Sequence, residues 1–265
     1  MEQIKIMLTY SDYKILYKSL IKKKFKKNLK VSILSSFTTQ GLDEILFVKC
    51  FQLGIHAKIY QAPYNQYNQE IVNSNSNLYQ FGPDLVILII DLISFLGDYL
   101  LNPYQLTHSK REKFIKSKFN ELKELISKLK SSVKTKIVIH NFNIPNYSPY
   151  GILENKQQFG FHDSIRYLNN NLQSMSMNDP NLFVLDYDAF CSKNGTKNTL
   201  DYKMYYLADM RLPANYLIEL CDEYLGYIKP LVSMVKKCIV LDLDSTLWGG
   251  ILGEVGFSGI QLGPT

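Results

Sequence analysis

Leu85-Val86-Ile87-Leu88-Ile89-Ile90 is apolar at every position. A strand with hydrophobic side chains on both faces belongs inside a sheet that helices cover on each side. Working outward, further short runs rich in β-branched residues lie on either side of it: Val31-Ser32-Ile33-Leu34, Ala57-Lys58-Ile59-Tyr60, Ile137-Val138-Ile139 and Phe183-Val184-Leu185. Helical periodicity between them predicts helices at about 41–53, 67–73, 110–130 and 163–174. Strands that alternate with crossover helices make a doubly wound parallel sheet, a three-layer α/β sandwich.

The flanks carry other signals. Residues 11–27 have Tyr13, Leu16, Tyr17, Leu20 and Ile21 on one side and lysines elsewhere, which predicts an amphipathic helix within an amino-terminal appendage, 1–29. The α/β domain is expected over 30–235. A helix at about 214–235 is expected to kink or break at Pro230, because proline removes a backbone donor. Cys238-Ile239-Val240-Leu241 then reads as a new strand that opens a third segment, 236–265. The Asn-rich stretch from Tyr64 to Leu78 is expected to be an irregular, exposed connection.

Composition narrows the function classes. The 265 residues are 46% hydrophobic, with 30 basic and 24 acidic residues and a net charge of +6. The basic side chains are nearly all lysine, arginine occurring only at Arg111, Arg166 and Arg211, which argues against a nucleic-acid groove built on bidentate contacts. Lys22-Lys23-Lys24-Phe25-Lys26-Lys27 with Lys30 is the densest positive cluster, and it reads as a solvated helix end or as a face for an acidic partner. Four cysteines without a C-x-x-C pair, no cationic leader and no apolar run near the roughly 20 residues of a membrane span together predict a reduced cytoplasmic protein.

Ligands of open parallel sheets gather at the carboxyl ends of strands. The expected strand ending at Leu241 delivers Asp242 and Asp244 there, followed by Ser245, Thr246, Leu247, Trp248, Gly249 and Gly250. One carboxylate can attack phosphorus, and a second, two residues on, can protonate the leaving oxygen and then activate water. Mg2+ suits two carboxylates plus phosphate oxygens, and Thr246 can fix the loop by hydrogen bonding. Phe183-Val184-Leu185-Asp186-Tyr187-Asp188 has a strand and both acids but neither the Thr nor the Gly pair, so Asp186 and Asp188 read as turn formers.

Lys237 to Gly263, with Gly249-Gly250-Ile251-Leu252-Gly253-Glu254 and Gly259-Ile260-Gln261-Leu262-Gly263, resembles the FkbH-like branch of the haloacid-dehalogenase (HAD) superfamily, subfamily IIIC. Ser35-Ser36-Phe37-Thr38-Thr39, Ala62-Pro63-Tyr64-Asn65-Gln66-Tyr67 and Asp201-Tyr202-Lys203-Met204-Tyr205-Tyr206-Leu207-Ala208 resemble the amino-terminal region of the same family. The resemblance implies an SGNH-hydrolase-like first domain and the opening strand and loop of a HAD phosphatase domain. It further implies dephosphorylation of a bisphosphoglycerate and glyceryl transfer to an acyl carrier protein in polyketide-type biosynthesis. Asp242 would be nucleophile and metal ligand and Asp244 acid/base and metal ligand, Thr246, Gly249 and Gly250 would form the phosphate loop, and Mg2+ would be the cofactor. The later Ser or Thr, Lys and carboxylates of such a site fall beyond Thr265, so a chain ending there is expected to be inactive as a phosphatase and to bind Mg2+ weakly.

An SGNH-type esterase or acyltransferase would use Ser36, just after the first strand. After Phe183, however, Asp201 is followed by Tyr202, Lys203 and Met204 rather than by a histidine at the third place, and His56, His108, His140 and His162 all come earlier. A serine without its base is a weak nucleophile, so a binding module is the favoured reading, with the esterase and a carrier-recognition domain as alternatives. Asn141 and Asn143 could supply oxyanion donors. His140 reads as a satisfied turn histidine and Cys191 as incidental in a polar loop.

Overall fold

In the computed structural model, which describes residues 8–23, 25–236, 238 and 240–262, the chain forms two compact units, Met1–Ile228 and Lys229–Thr265. The first is built on strands β1 (Lys27–Ser35), β2 (Ile55–Gln61), β3 (Leu85–Ile89), β4 (Lys136–His140) and β5 (Leu182–Leu185). They pair in parallel in the order β2-β1-β3-β4-β5. The register sets Val31 beside Ile59, Ile33 beside Ile87, Ile87 beside Val138 and Ile139 beside Val184. The chain winds from β1 to β2 in one direction and then crosses back to β3. Loops therefore diverge at the carboxyl ends of β1 and β3, where a doubly wound sheet opens a crevice. Each of the five strands coincides with one of the runs picked out in the sequence, β3 ending at Ile89, one residue short of the run Leu85 to Ile90.

Helices α1 (Tyr10–Leu20), α2 (Leu42–Gln52), α3 (Tyr67–Val72), α4 (Asn77–Phe81), α5 (Leu92–Leu96), α6 (His108–Ser132), α7 (Phe161–Met177), α8 (Tyr187–Asn194), α9 (Tyr202–Ala208) and α10 (Ala214–Leu231) complete the layers. On one face of the sheet Leu34, Val86, Leu88, Ile137 and Ile139 pack against Ile115, Phe119 and Leu122 of α6 and Ile165, Leu168 and Leu172 of α7. The spacing of three and four residues along each helix makes those stripes. On the other face lie α2 and α10, tied by the buried Lys49 ammonium on Asp222 at 2.5 Å and by the Cys221 thiol on the Leu42 carbonyl. Helix α1 packs on α2, with Tyr17 edge-on to Phe47.

Several expectations need correction. Helix α1 stops at Leu20 rather than near residue 27, because Lys27, Asn28 and Leu29 pair with Ile55, His56 and Ala57 and lengthen β1. Residues 1–7 and Lys24 lie outside the described residues. The Asn-rich connection is ordered: it holds α3 and α4, buries Ile71 and Leu78, and is closed by Glu70, whose carboxylate accepts from Leu78 N at 2.9 Å. Pro230 is the penultimate residue of α10, so the helix ends just after it.

The expected strand Cys238–Leu241 is absent at Cys238, Val240 and Leu241, while Lys237, Ile239 and Gly263 lie outside the described residues. No neighbouring strand pairs with this stretch among the described residues, and a single extended segment without a partner does not hold. Val240 is accordingly 91% exposed. Among the described residues no helix is long and apolar enough to cross a membrane.

Candidate functional site

Ser36 follows β1 directly and is fully buried. Its hydroxyl donates to Asp91 Oδ2 at 2.7 Å and accepts from the Asp91 backbone N–H at 3.0 Å. Asp91 follows Ile90 at the end of β3, the same edge of the sheet. Its carboxylate also caps α5, accepting from Ile93 N at 2.9 Å, Ser94 N at 3.2 Å and Ser94 Oγ at 2.5 Å, and it lies 3.6 Å from the Arg211 guanidinium. Arg211 is itself 2.7 Å from Asp209 and stacks over Tyr205 at 4.0 Å. None of the four histidines is hydrogen bonded to Ser36. His140 bonds Tyr224, His162 bonds the Tyr147 carbonyl, and Asp201 is spent capping α9 at Met204 N. The Ser36 hydroxyl therefore has Asp91, and no imidazole, as its hydrogen-bond partner among the described residues.

A cleft of about 490 Å3 opens at the carboxyl ends of β3, β4 and β5. Its walls are mostly apolar, with Phe37, Ile90, Ile93, Phe142, Tyr147 and Leu200 among them, interrupted by Asp91, His140, Asn141, Asn143, Cys191 and Arg211. His140 closes β4 and is 2% exposed. Its Nε2 shares a 2.8 Å hydrogen bond with Tyr224 Oη, its ring stacks on Tyr187, and its Nδ1 has no partner. Burial drives its pKa down to about 3, so the imidazole is neutral.

Cys191 corrects an expectation: it lies in α8 rather than in a polar loop, is 2% exposed and faces this cleft. Burial raises its pKa, partly offset by hydrogen bonding with Thr199 and Tyr187. The thiol therefore stays protonated and unreactive.

Asn141 and Asn143 are not free oxyanion donors. Asn141 Nδ2 donates to Asp186 Oδ1 at 2.8 Å and its Oδ1 accepts from Asp188 N at 3.0 Å, while Asn143 Nδ2 leans on Asp188 at 3.4 Å. Asp186 caps α8 through Ala189 N, and Asp188 accepts from Ile144 N at 2.7 Å. Both acids hold loops, as their turn-forming reading requires. Burial is the main cause that raises the Asp188 pKa.

In the second unit Asp242 is exposed and Asp244 half-buried. Asp244 Oδ1 accepts from Trp248 Nε1 and from Leu252 N, both at 3.0 Å. The turn is held by Leu247 N on the Leu243 carbonyl and by paired backbone bonds between Gly249 and Gln261. The Thr246 backbone N–H donates to the same Leu243 carbonyl at 3.4 Å. Gly250 adopts φ +97, a left-handed conformation that requires glycine. Among the described residues no three His, Cys, Asp or Glu side chains converge as metal ligands. One oxygen of Asp244 is already engaged, so these residues do not by themselves fit a Mg2+ ion.

Sequence reasoning missed Asp91 and Arg211. Inspecting the residue after each strand would have found Asp91, which directly follows the most apolar run of the chain. Arg211, one of three arginines in a lysine-rich protein, was marked only by its rarity.

Comparison with known proteins places these features. The family profile described as FkbH, N-terminal domain, matches residues 30–229. Among solved structures, the N-terminal part of BF1531 from Bacteroides fragilis, which contains a phosphatase domain and was solved complexed with Mg, superposes with TM-score 0.76 at 24% identity. The match covers 98% of this chain, which spans 66% of that one. The lipase Lip_vut3 from a goat rumen metagenome superposes with TM-score 0.53 at 11% identity, over 75% of this chain and 96% of its own. Both likenesses are likenesses of fold. No curated protein matches the chain.

Proposed function

The chain belongs to the FkbH N-terminal domain family, and from that premise we propose that its α/β unit is a binding domain on a hydrolase-like scaffold that no longer hydrolyses. The observation that carries this reading is Ser36, fully buried and hydrogen bonded on both sides to Asp91. A hydroxyl that already donates to a carboxylate, with no imidazole to take its proton, cannot be activated for acyl transfer. The cleft beside it remains as a place to hold a ligand.

In this proposal the domain serves an FkbH-type protein that removes phosphate from a phosphorylated three-carbon acyl donor, a bisphosphoglycerate, and passes the glyceryl unit to an acyl carrier protein in polyketide-type biosynthesis. Support comes from the family match, from the two-aspartate loop at Asp242 and Asp244, and from the phosphatase domain and Mg in the Bacteroides fragilis relative. Fluorophosphonate labelling tests the binding-domain reading. The native chain stays unlabelled at Ser36 and fails to turn over p-nitrophenyl butanoate, and a labelled Ser36 refutes the reading. A purified acyl carrier protein titrated into the chain tests the partner, and absence of binding at low salt refutes it. A second surface also favours an acidic partner, since Lys22, Lys23, Lys26, Lys27 and Lys30 are all exposed. Docking there weakens as salt rises and as these lysines are neutralised, and salt-independent binding excludes it.

A further inference from the structure

Helix α9 buries none of its seven residues. A helix this short does not hold by itself, and a surface helix of a folded domain normally turns an apolar stripe inward. What fixes α9 is its start and its middle: the Asp201 carboxylate accepts from Met204 N at 3.0 Å, and Tyr205 lies under the Arg211 guanidinium at 4.0 Å. Tyr202 and Tyr206, four residues apart and so on one face, are left 61% and 79% exposed, with Leu207 at 71%. The patch continues across the mouth of the cleft, because Tyr202 and Tyr147 both line it. Just beyond Tyr147 the chain presents Tyr150 and Ile152, the latter 93% exposed. Large apolar side chains gathered in this way mark an interaction surface.

The charges around it have one sign. Segments 145–158 and 192–208 carry Lys156, Lys193, Lys197 and Lys203, all exposed, against two acids, Glu154 and Asp201. Neither acid is available: Glu154 is buried and accepts from the Tyr104 and Ser148 hydroxyls and from His162 N, and Asp201 is the cap of α9. Lysine ammoniums only donate and tyrosine hydroxyls donate readily, so the side chains of this face call for acceptors. A second copy of this chain would set the same lysines against each other, which disfavours self-association here. Four of the six apolar side chains are tyrosines, whose hydroxyls need a partner once buried. Carboxylates of a protein supply one, and the acyl chains of a lipid do not. The shape that suits an uncovered helix face is a second helix.

We propose that α9 and the adjoining loop 147–152 form a docking face for an acidic amphipathic helix of another protein, whose apolar side chains cover Tyr202, Tyr206 and Leu207 and whose carboxylates meet Lys197 and Lys203. The inference goes beyond the binding-domain reading, since it holds whatever the cleft contains. It also differs in place from the cluster of Lys22, Lys26 and Lys27, which gathers at the amino end of β1, whereas this face adjoins the carboxyl ends of the strands.

The probe is a capped, fluorescently labelled peptide of about 18 residues, with leucine along one helix face and glutamate on its flanks, and its lysine counterpart is the control. Each is titrated into the full chain by fluorescence anisotropy. The expected result is saturable binding of the glutamate peptide that weakens as salt rises, and at least tenfold weaker binding of the lysine peptide. At least tenfold loss of affinity is expected in Tyr206→Ala with Leu207→Ser, and again in Lys197→Glu with Lys203→Glu. All four side chains are exposed, so both variants should keep the fold, and should either lose its native circular dichroism the other decides. No binding of the glutamate peptide, equal binding of the two peptides, or binding lost in Lys22→Glu with Lys26→Glu but kept in the α9 variants overturns the inference. So does sedimentation with phosphatidylserine–phosphatidylcholine vesicles, or a concentration-dependent dimer, that the α9 variants abolish, because a lipid surface or a second copy would then be the occupant.

Discussion

Replacing Asp91 by alanine tests the account of the strand-end network most directly. The carboxylate, whose side chain is only 16% exposed, receives the buried Ser36 hydroxyl and the free backbone N–H groups of Ile93 and Ser94 in the first turn of α5. Loss of a helix N-cap costs about 1 kcal/mol. Loss of a hydrogen bond from a buried donor to a charged acceptor costs about 2 kcal/mol, because the hydroxyl proton is left without an acceptor while the Asp91 backbone N–H still donates to its oxygen. The Arg211 contact at 3.6 Å is too long to add much. Asp91→Ala should therefore destabilise the α/β unit by about 3 kcal/mol, and for a domain of this size each kcal/mol lowers Tm by about 2–4 °C. Asp91→Asn keeps an effective cap and an acceptor for Ser36, so its loss should be about half as large. Urea unfolding followed by circular dichroism, with equal m-values checked first, reads both. An Asp91→Ala protein within 1 kcal/mol of the parent would show that the network is a bystander.

Other outcomes follow from burial and charge. In the unfolded chain His140 takes up its proton near its ordinary value of 6.5, whereas in the folded chain it does so only near 3. Its contribution is fully present above pH 6.5 and is lost as pH falls from there towards 3, at up to about 1.4 kcal/mol per unit. Urea midpoints between pH 7 and pH 4 should fall more steeply for the parent than for His140→Phe, and parallel slopes would refute the buried neutral imidazole. Among the four thiols Cys238 is exposed while Cys50, Cys191 and Cys221 are buried. Ellman's reagent should titrate one thiol quickly in the native chain and four after denaturation, the fast phase vanishing in Cys238→Ser. A fast Cys191 would contradict its burial.

How far the fold could be read in advance depended on length and burial. Leu85–Ile90 and its neighbours are apolar on both faces, so the five strands and the long helices α6, α7 and α10 stood out. Helices α4, α5, α8 and α9 span fewer than nine residues each, under three turns, and went unread, although the equally short α3 was legible at 67–73. The run at Cys238–Leu241 has strand composition, yet strand formation depends on a partner that composition cannot supply. The cleft was hidden for another reason: Phe37, Asp91, His140, Cys191 and Arg211 are far apart along the chain and meet only because parallel strands end at one edge. Ser36 was found by position, and its lack of a histidine partner was legible in the order of the four histidines. Its sealing by Asp91 needed coordinates.

The Asp91 carboxylate also bears on what this scaffold could become. A histidine introduced within reach of Ser36 would find a hydroxyl already committed to another acceptor, and loosening that commitment would unseat the start of α5. Ester cleavage through such an introduced histidine would thus demand concerted substitutions in separate segments, each harmful alone.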